Sequence, residues 1–304
     1  RDITTDQYGK YNIKIRKLLE AVYRNYKGKR TPAYRAFEVY LKRVWFSNGI
    51  YHHYGCDKFV PGFTARFLRR EVLALPADEL PLDNGQTAAQ LCNELFPVIF
   101  NADVLPKRVN KADGEDLVLT SACNFYEGVS QVEVEAYYAQ QTDVTDACPP
   151  SYGLNSKLVK TARGLKEERW TVNSRYGKAI RKIIFYLEKA AEVAENNQQR
   201  KVIALLIDYY RTGNLKRFDE YSVEWLKEQE GRVDFINGFI EVYGDPLGLK
   251  GTWEGIVTYK DEEATQRTRK ICNNAQWFED HSPVDARFKK KTVKGVTANA
   301  VCAA

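Results

Sequence analysis

The sequence predicts an α+β fold, rich in helix, with a small and mostly antiparallel sheet. Apolar residues recur at the 3.6-residue helical spacing through most of the chain, and the pattern switches to period two around Val233 to Tyr243 and again around Trp253 to Tyr259. Glycine, asparagine and proline mark the changes of pattern. The 304 residues are 44% hydrophobic and 28% charged, a globular balance that allows one large or two moderate domains with a substantial core.

Ile13, Ile15, Leu18, Leu19 and Val22 mark a first helix that Gly28 stops. Pro32 opens a second, PAYRAFEVYLKRVWF, which ends near Ser47, Asn48 and Gly49; the short connection implies antiparallel packing. SNGIYHHYGCDKFVPGF reads as a long loop rich in glycine and aromatic residues, of the kind that carries function on a rigid scaffold. Helices follow at 64–74 and 86–98, then an irregular stretch to about residue 120. LVLTSACNFYEG reads as strand then turn, SQVEVEAYYAQ as helix, and LNSKLVK with KEERWTV as a hairpin. RYGKAIRKIIFYLEKAAEVAENN and QQRKVIALLIDYYRTGN are strongly amphipathic helices, and DEYSVEWLKEQEG is a third with acidic residues in its first turn. One more helix is predicted in DEEATQRTRKICNNAQWF.

The net charge is +6, but the basic residues are spread among acids as on a solvated surface. The clusters RFLRREV and RFKKKTVK lack the interleaved aromatics of a nucleic-acid stacking platform. No run reaches the roughly 18 apolar residues of a membrane helix. Neither nucleic acid nor membrane is therefore an expected partner. Cysteines 56, 92, 123, 148, 272 and 302 form no CxxC pair and match no histidine spacing, which points to a reducing compartment and a cytoplasmic location, and away from a zinc site built on them. Methionine is absent from helices that ordinarily carry some, and VTANAVCAA stops inside an apolar run. Both features predict a piece of a longer protein whose methionines are left out of the sequence as written.

His52, His53 and His281 offer no helical i, i+4 pair, and adjacent side chains diverge. No H-E-x-x-H, G-x-S-x-G, P-loop or G-x-G-x-x-G spacing is present, so the residues alone hold no complete catalytic machine. One stretch stands out: DFINGFIEVYGDPLGLKGTWEG, which sets Glu241 and Glu254 among aromatic and glycine residues in strand and turn. FINGFI reads either as a hairpin closed by an Asn237-Gly238 turn or as one strand. On a strand, Glu241 and Tyr243 share a face beside a glycine-rich turn, where a carboxylate and a phenol would receive an ammonium and a carbonyl. An exposed sheet face is the alternative.

NGFIEVYGDPLGLKGTWEG closely resembles the substrate-lining segment of the dipeptidyl peptidase III family, zinc exopeptidases that remove dipeptides from peptide N-termini. The resemblance extends through VWFSNGIYHHYGCDKFVPGF, DGEDLVLTSACNFYEG, SYGLNSKLVK and NAQWFEDHSPVDARFKK to nearly the whole chain, and it is to the bacterial, Bacteroides-like branch. It implies a bilobal enzyme, with a helical upper lobe that holds Zn2+ through an H-E-x-x-x-H helix and a downstream glutamate. A lower lobe, built around a small β-barrel, binds the peptide as an added strand. In these terms residues 1–260 are the lower-lobe substrate-binding domain, 261–293 a segment crossing to the upper lobe, and 294–304 the start of the return. The zinc motif is then expected beyond Ala304, with no metal bound by this chain and no activity from it alone. Short peptides and the zinc-binding lobe are the implied partners.

Residue by residue, the resemblance implies that Glu241 receives the substrate's α-ammonium and that Tyr243 donates toward the scissile carbonyl oxygen. Tyr54 falls where relatives line a peptide subsite, while Asp245, Glu254 and Asn155 are matched positions expected to hold the strand and turn in shape. Gly244 departs from the animal members, which carry arginine there. The implied function is dipeptide release from peptide N-termini; the alternative is a peptide-binding module without catalysis.

Overall fold

The computed structural model describes residues 2–294 and 299–303. Part of the predicted 294–304 segment, residues 295–298 and 304, lies outside them. The chain opens with a short helix α1 (Asp2–Gln7), followed by α2 (Asn12–Asn25), α3 (Pro32–Ser47), α4 (Ala65–Leu73) and α5 (Ala88–Phe100). Threonines start three of these: Thr31, Thr64 and Thr87 each accept a backbone N–H of the first turn through the side-chain hydroxyl. Asn48, at φ 54°, ends α3 in the left-handed conformation that asparagine tolerates. Helices α2 to α5 bury Leu18, Leu19, Phe37, Leu41, Leu68 and Leu95 in one core.

A first sheet follows, made of β1 (Tyr126–Glu127), β2 (Ser156–Thr161) and β3 (Gly164–Arg169), with α6 (Gln131–Ala139) packed against it. β2 and β3 are the predicted hairpin, antiparallel from Ser156↔Arg169 to Thr161↔Gly164. Only β1 of the strand expected in LVLTSACNFYEG forms, and it runs parallel to β2. Asp116 is the reason: its carboxylate accepts the N–H groups of Val118 and Leu119 at 3.0 and 2.9 Å and coils that segment into turns.

Helices α7 (Gly177–Glu192), α8 (Asn197–Thr212) and α9 (Leu215–Lys227) form the second core around Ile180, Leu206, Tyr210 and Phe239. α9 starts before the expected Asp219, because Asn214 caps it. Behind these helices stands a sheet of β4 (Val233–Glu241), β5 (Thr252–Lys260) and β6 (Val301–Ala303), antiparallel throughout. The helix expected after β5 is divided at Asn274 into α10 (Glu262–Asn273) and α11 (Ala275–His281). The mixed fold with two small sheets is the α+β class that the two hydrophobic periods predict.

FINGFI is not a hairpin. Asn237 and Gly238 lie inside the continuous strand β4, opposite Gly255 and Glu254. Tertiary contacts override the turn signal: the buried Tyr210 hydroxyl donates to Asn237 Oδ1, and a Cβ on Gly238 would stand 3.0 Å from the Phe218 ring. The bend comes two residues on, where a bulge between Phe239 and Glu241 breaks the register. Gly251 packs directly behind it, and a Cβ there would meet the Phe239 carbonyl carbon at 2.7 Å. We expect Gly251→Ala to force the two backbones apart, at a cost of about 1–3 kcal/mol. A lowered urea midpoint checks it; an unchanged midpoint would mean that the bulge yields freely.

Candidate active site

Glu241 is the last residue of β4, just past the bulge, and it opposes Thr252. Tyr243 lies beyond the strand's end in the turn that leads to β5, so strand alternation is not what brings the two together. The turn does that. Asp245 N–H bonds Val242 O at 3.0 Å, and Asp245 Oδ2 accepts the N–H groups of Leu249 and Lys250 at 2.7 and 3.0 Å and the Tyr126 hydroxyl at 2.8 Å. Asp245 is fully buried; its carboxylate closes the loop on itself and ties it to the first sheet. Burial pushes its pKa up against these bonds.

Glu241, Glu254 and Tyr243 stand close enough for their charges to act on one another. Burial, then the Glu241 charge, raises the pKa of Glu254, which lies opposite Gly238 on β5. Tyr243 is raised to about 12 by burial, the Tyr8 hydroxyl, and the charges of Glu241 and Glu254. Through neutral pH it therefore remains a phenol, able to donate. The residue is still 56% exposed, open to a ligand.

Tyr8 reaches this site from the N-terminal end, where the sequence shows only a polar segment. Asp6 is held by Arg175 Nε and Nη2 at 2.8 and 2.7 Å and by the Tyr176 hydroxyl at 2.7 Å, which pins α1 to the start of α7. Gln7 then bonds both ways with β5, donating to Gly251 O and accepting from Trp253 N–H at 2.9 Å each, while Thr4 donates to Trp253 O at 2.8 Å. Helix α1 thus covers the part of β5 that β6 does not reach, and Tyr8 follows it into the site.

Tyr54 belongs to the aromatic loop. Tyr51 and Lys58 bridge its base, and His52 Nδ1 accepts the N–H groups of Tyr54 and Gly55 at 3.2 and 3.0 Å, so this imidazole shapes the loop. Tyr54 is 85% exposed and, together with Tyr243, lines a groove of 480 Å3. His53, Gly55, Cys56, Arg108, Val109 and Lys111 complete its lining. The structure thus brings Tyr54, Tyr243, Glu241 and Glu254 together in one region. Asn155 is elsewhere: buried, it donates to Gly213 O at 3.1 Å and joins the start of β2 to the end of α8.

Among the described residues no group of three or more histidine, cysteine or acidic side chains is placed to hold a metal ion. Contrary to the expectation that adjacent side chains diverge, the rings of His52 and His53 stack on each other at 4.8 Å, because the backbone turns here instead of running extended, and His281 stacks on Trp277 at 4.3 Å. These residues do not fit a zinc ion.

Missed from the sequence were Tyr8, Arg108 and a buried network around Lys250. Lys250 donates to the hydroxyls of Tyr138 and, at 2.9 Å, Ser156; both hydroxyls donate on to Glu167, at 2.9 and 2.8 Å. A lysine in a glycine-rich turn reads as solvated, and nothing local marks it as buried.

The sequence model of peptidase family M49 matches residues 115–296, which include Glu241, Tyr243 and the whole turn. Dipeptidyl peptidase 3 of Rattus norvegicus is 22% identical over 277 residues, covering 84% of this chain and 38% of its own length. Dipeptidyl peptidase 3 of Dictyostelium discoideum is 31% identical over 125 residues, or 40% of this chain and 18% of its own. The structure of DPP III from Caldithrix abyssi superposes with a TM-score of 0.60 at 18% identity, over 95% of this chain and 42% of that one, a likeness of fold. The chain spans well under half the length of these relatives. A family match over more than half of its residues, which takes in the strand and turn described above, makes the chain a member of peptidase family M49.

Proposed function

We propose that this chain supplies the peptide-binding surface of a dipeptidyl peptidase, gripping the free N-terminus of a short peptide at Glu241. The observation that carries it is the pair Glu241 and Glu254, Glu241 opposite Thr252 and Glu254 two residues further along β5: burial and then the Glu241 charge raise the pKa of Glu254, and a single ammonium near both would relieve that cost. Charge-assisted hydrogen bonds from an α-ammonium are strong and directional, so they fix the register from which a dipeptide is counted. Tyr243, held protonated, donates toward a carbonyl oxygen one or two residues along, where it stabilises developing negative charge. β4 ends its sheet, and a strand at an edge offers backbone groups to a peptide that adds as a further strand, with affinity tolerant of sequence. Tyr54 closes the groove over the peptide's side chains. The family implies zinc as the hydrolytic cofactor; the described residues do not hold it, and no step here runs through it.

The test is calorimetric titration of the chain with an unmodified tetrapeptide and with its N-acetylated form. Removing the ammonium is expected to weaken binding by about 10- to 100-fold, the range for one or two hydrogen bonds to a charged group. Glu241→Gln should narrow that gap to a few-fold while leaving the acetylated peptide's affinity nearly unchanged. Equal affinity of the two peptides for the unaltered chain, or no binding of either, would overturn the reading.

A further inference from the structure

The groove also carries positive charge in its lining. Arg108 is 1% exposed, yet it lines the groove together with Tyr54 and Tyr243. Its backbone is fixed on both sides, N–H to Cys56 O at 2.9 Å and carbonyl to Cys123 N–H at 3.1 Å. The guanidinium lies on the Tyr8 ring, 3.9 Å from its centroid, and Nη2 donates to His53 O at 3.0 Å with Cys56 Sγ at 3.4 Å. Among the described residues no carboxylate meets it, and Nε and Nη1 have no partner. His53 Nδ1, in the same wall, has none either. Burying a cation without a counter-charge is costly, and a ring face and one carbonyl compensate only part of that cost. Lys111, exposed, adds a second positive charge to the same lining.

We infer that Arg108 is a recognition point for an anion, taking a carboxylate of the bound peptide from either its C-terminus or an acidic side chain. Guanidinium groups are weakly hydrated and present several donors, which suits them to carboxylates at sites closed to water. Tyr8 fixes the placement, because its ring carries the guanidinium while its hydroxyl acts on Tyr243. Glu241 and Glu254 act electrostatically on Tyr243, and Tyr243 shares the groove's lining with Arg108 and Lys111, so both signs of charge meet at this tyrosine, as a zwitterionic peptide requires. This inference rests on the proposed binding of peptides in the groove and adds a preference among them.

Titration of the chain with matched peptides tests it: tetra-alanine as free acid against its amide, and amidated alanine tetrapeptides carrying aspartate against asparagine at the second, third or fourth position. At least one acid is expected to bind about tenfold more tightly than its neutral partner at low salt, the first comparison reporting the C-terminus and the others a side chain. That preference should disappear in Arg108→Met and persist in Glu241→Gln. Should Arg108→Met fail to give a folded circular-dichroism spectrum, Lys111→Ala decides, since a preference that survives it belongs to Arg108 and one that vanishes overturns the assignment. A preference that persists in folded Arg108→Met also overturns it. If every acid binds like its neutral partner while N-acetylation still weakens binding, the Arg108 role fails and the Glu241 role stands; if acetylation is without effect, it is the peptide-binding reading that fails.

Discussion

Asp245→Ala is expected to destabilise the protein by about 3–5 kcal/mol and to abolish peptide binding along with the turn. One carboxylate oxygen there serves the Leu249 and Lys250 N–H groups and the Tyr126 hydroxyl, all in a region closed to solvent. Removing it strands three donors, each left unsatisfied at roughly 1–3 kcal/mol, with partial relief as the loop relaxes. It also withdraws one of the negative charges that favour the Lys250 ammonium. Asp245→Asn separates the acceptor from the charge. Oδ1 has no partner, so an amide nitrogen can occupy its position while the remaining oxygen keeps the three bonds. We expect the asparagine variant to lose less than about 2 kcal/mol. Urea unfolding of both variants checks this: equal losses would mean that the charge of Asp245, rather than its acceptor geometry, holds the turn.

What the sequence makes legible follows the range of each interaction. Amphipathic helices such as α7 and α8 are local facts, written in their own 3.6-residue spacing, and the structure has them where that spacing places them. The β2–β3 hairpin is equally local. Asn237-Gly238 shows the failure of local reading: a strong turn pair is held straight by Tyr210 and Phe218, which lie about 20 to 30 residues earlier in the chain. The site divides in the same way. Glu241 and Tyr243 stand in one short motif, within reach of a local reading, whereas Tyr8 and Arg108 arrive from separate segments through the Asp6–Arg175 pair and the loop before β1. Spacing cannot express such an encounter. The burial of Lys250 is hidden for another reason: its partners Tyr138, Ser156 and Glu167 come from α6 and the first sheet, which only the fold brings to the turn.

Lys250 gives the protein a pH dependence of stability whose sign opposes that of an ordinary ion pair. The side chain is completely buried, and loss of water around the ammonium pushes its pKa down from 10.5 to about 7, although Glu167 and Asp245 pull it up. Burial also works against the charge of Glu167, but hydrogen bonds from Ser156, Arg169 and Tyr138 together with the lysine's charge hold it below the usual carboxylate range. Between about pH 7 and about pH 10 the unfolded chain therefore carries a proton on this lysine that the folded chain has released. Stability must then rise with pH across that window, by up to about 1.4 kcal/mol per unit, while below about pH 7 the cost of the buried ammonium is fully present. Lys250→Met removes the titrating group and keeps most of the volume. Urea unfolding at about pH 7 and about pH 9 should show the native protein gaining about 1–3 kcal/mol relative to the variant. The difference between the two proteins isolates Lys250 from the tyrosines and cysteines that titrate in the same range. Parallel curves would show instead that Ser156 and Tyr138, each donating to Glu167 while accepting from Lys250, transmit enough of the carboxylate's charge to keep the ammonium protonated. In that case the turn beneath Tyr243 is fastened by a buried ion pair relayed through two hydroxyls, and its stability would fall only when acid protonates Glu167.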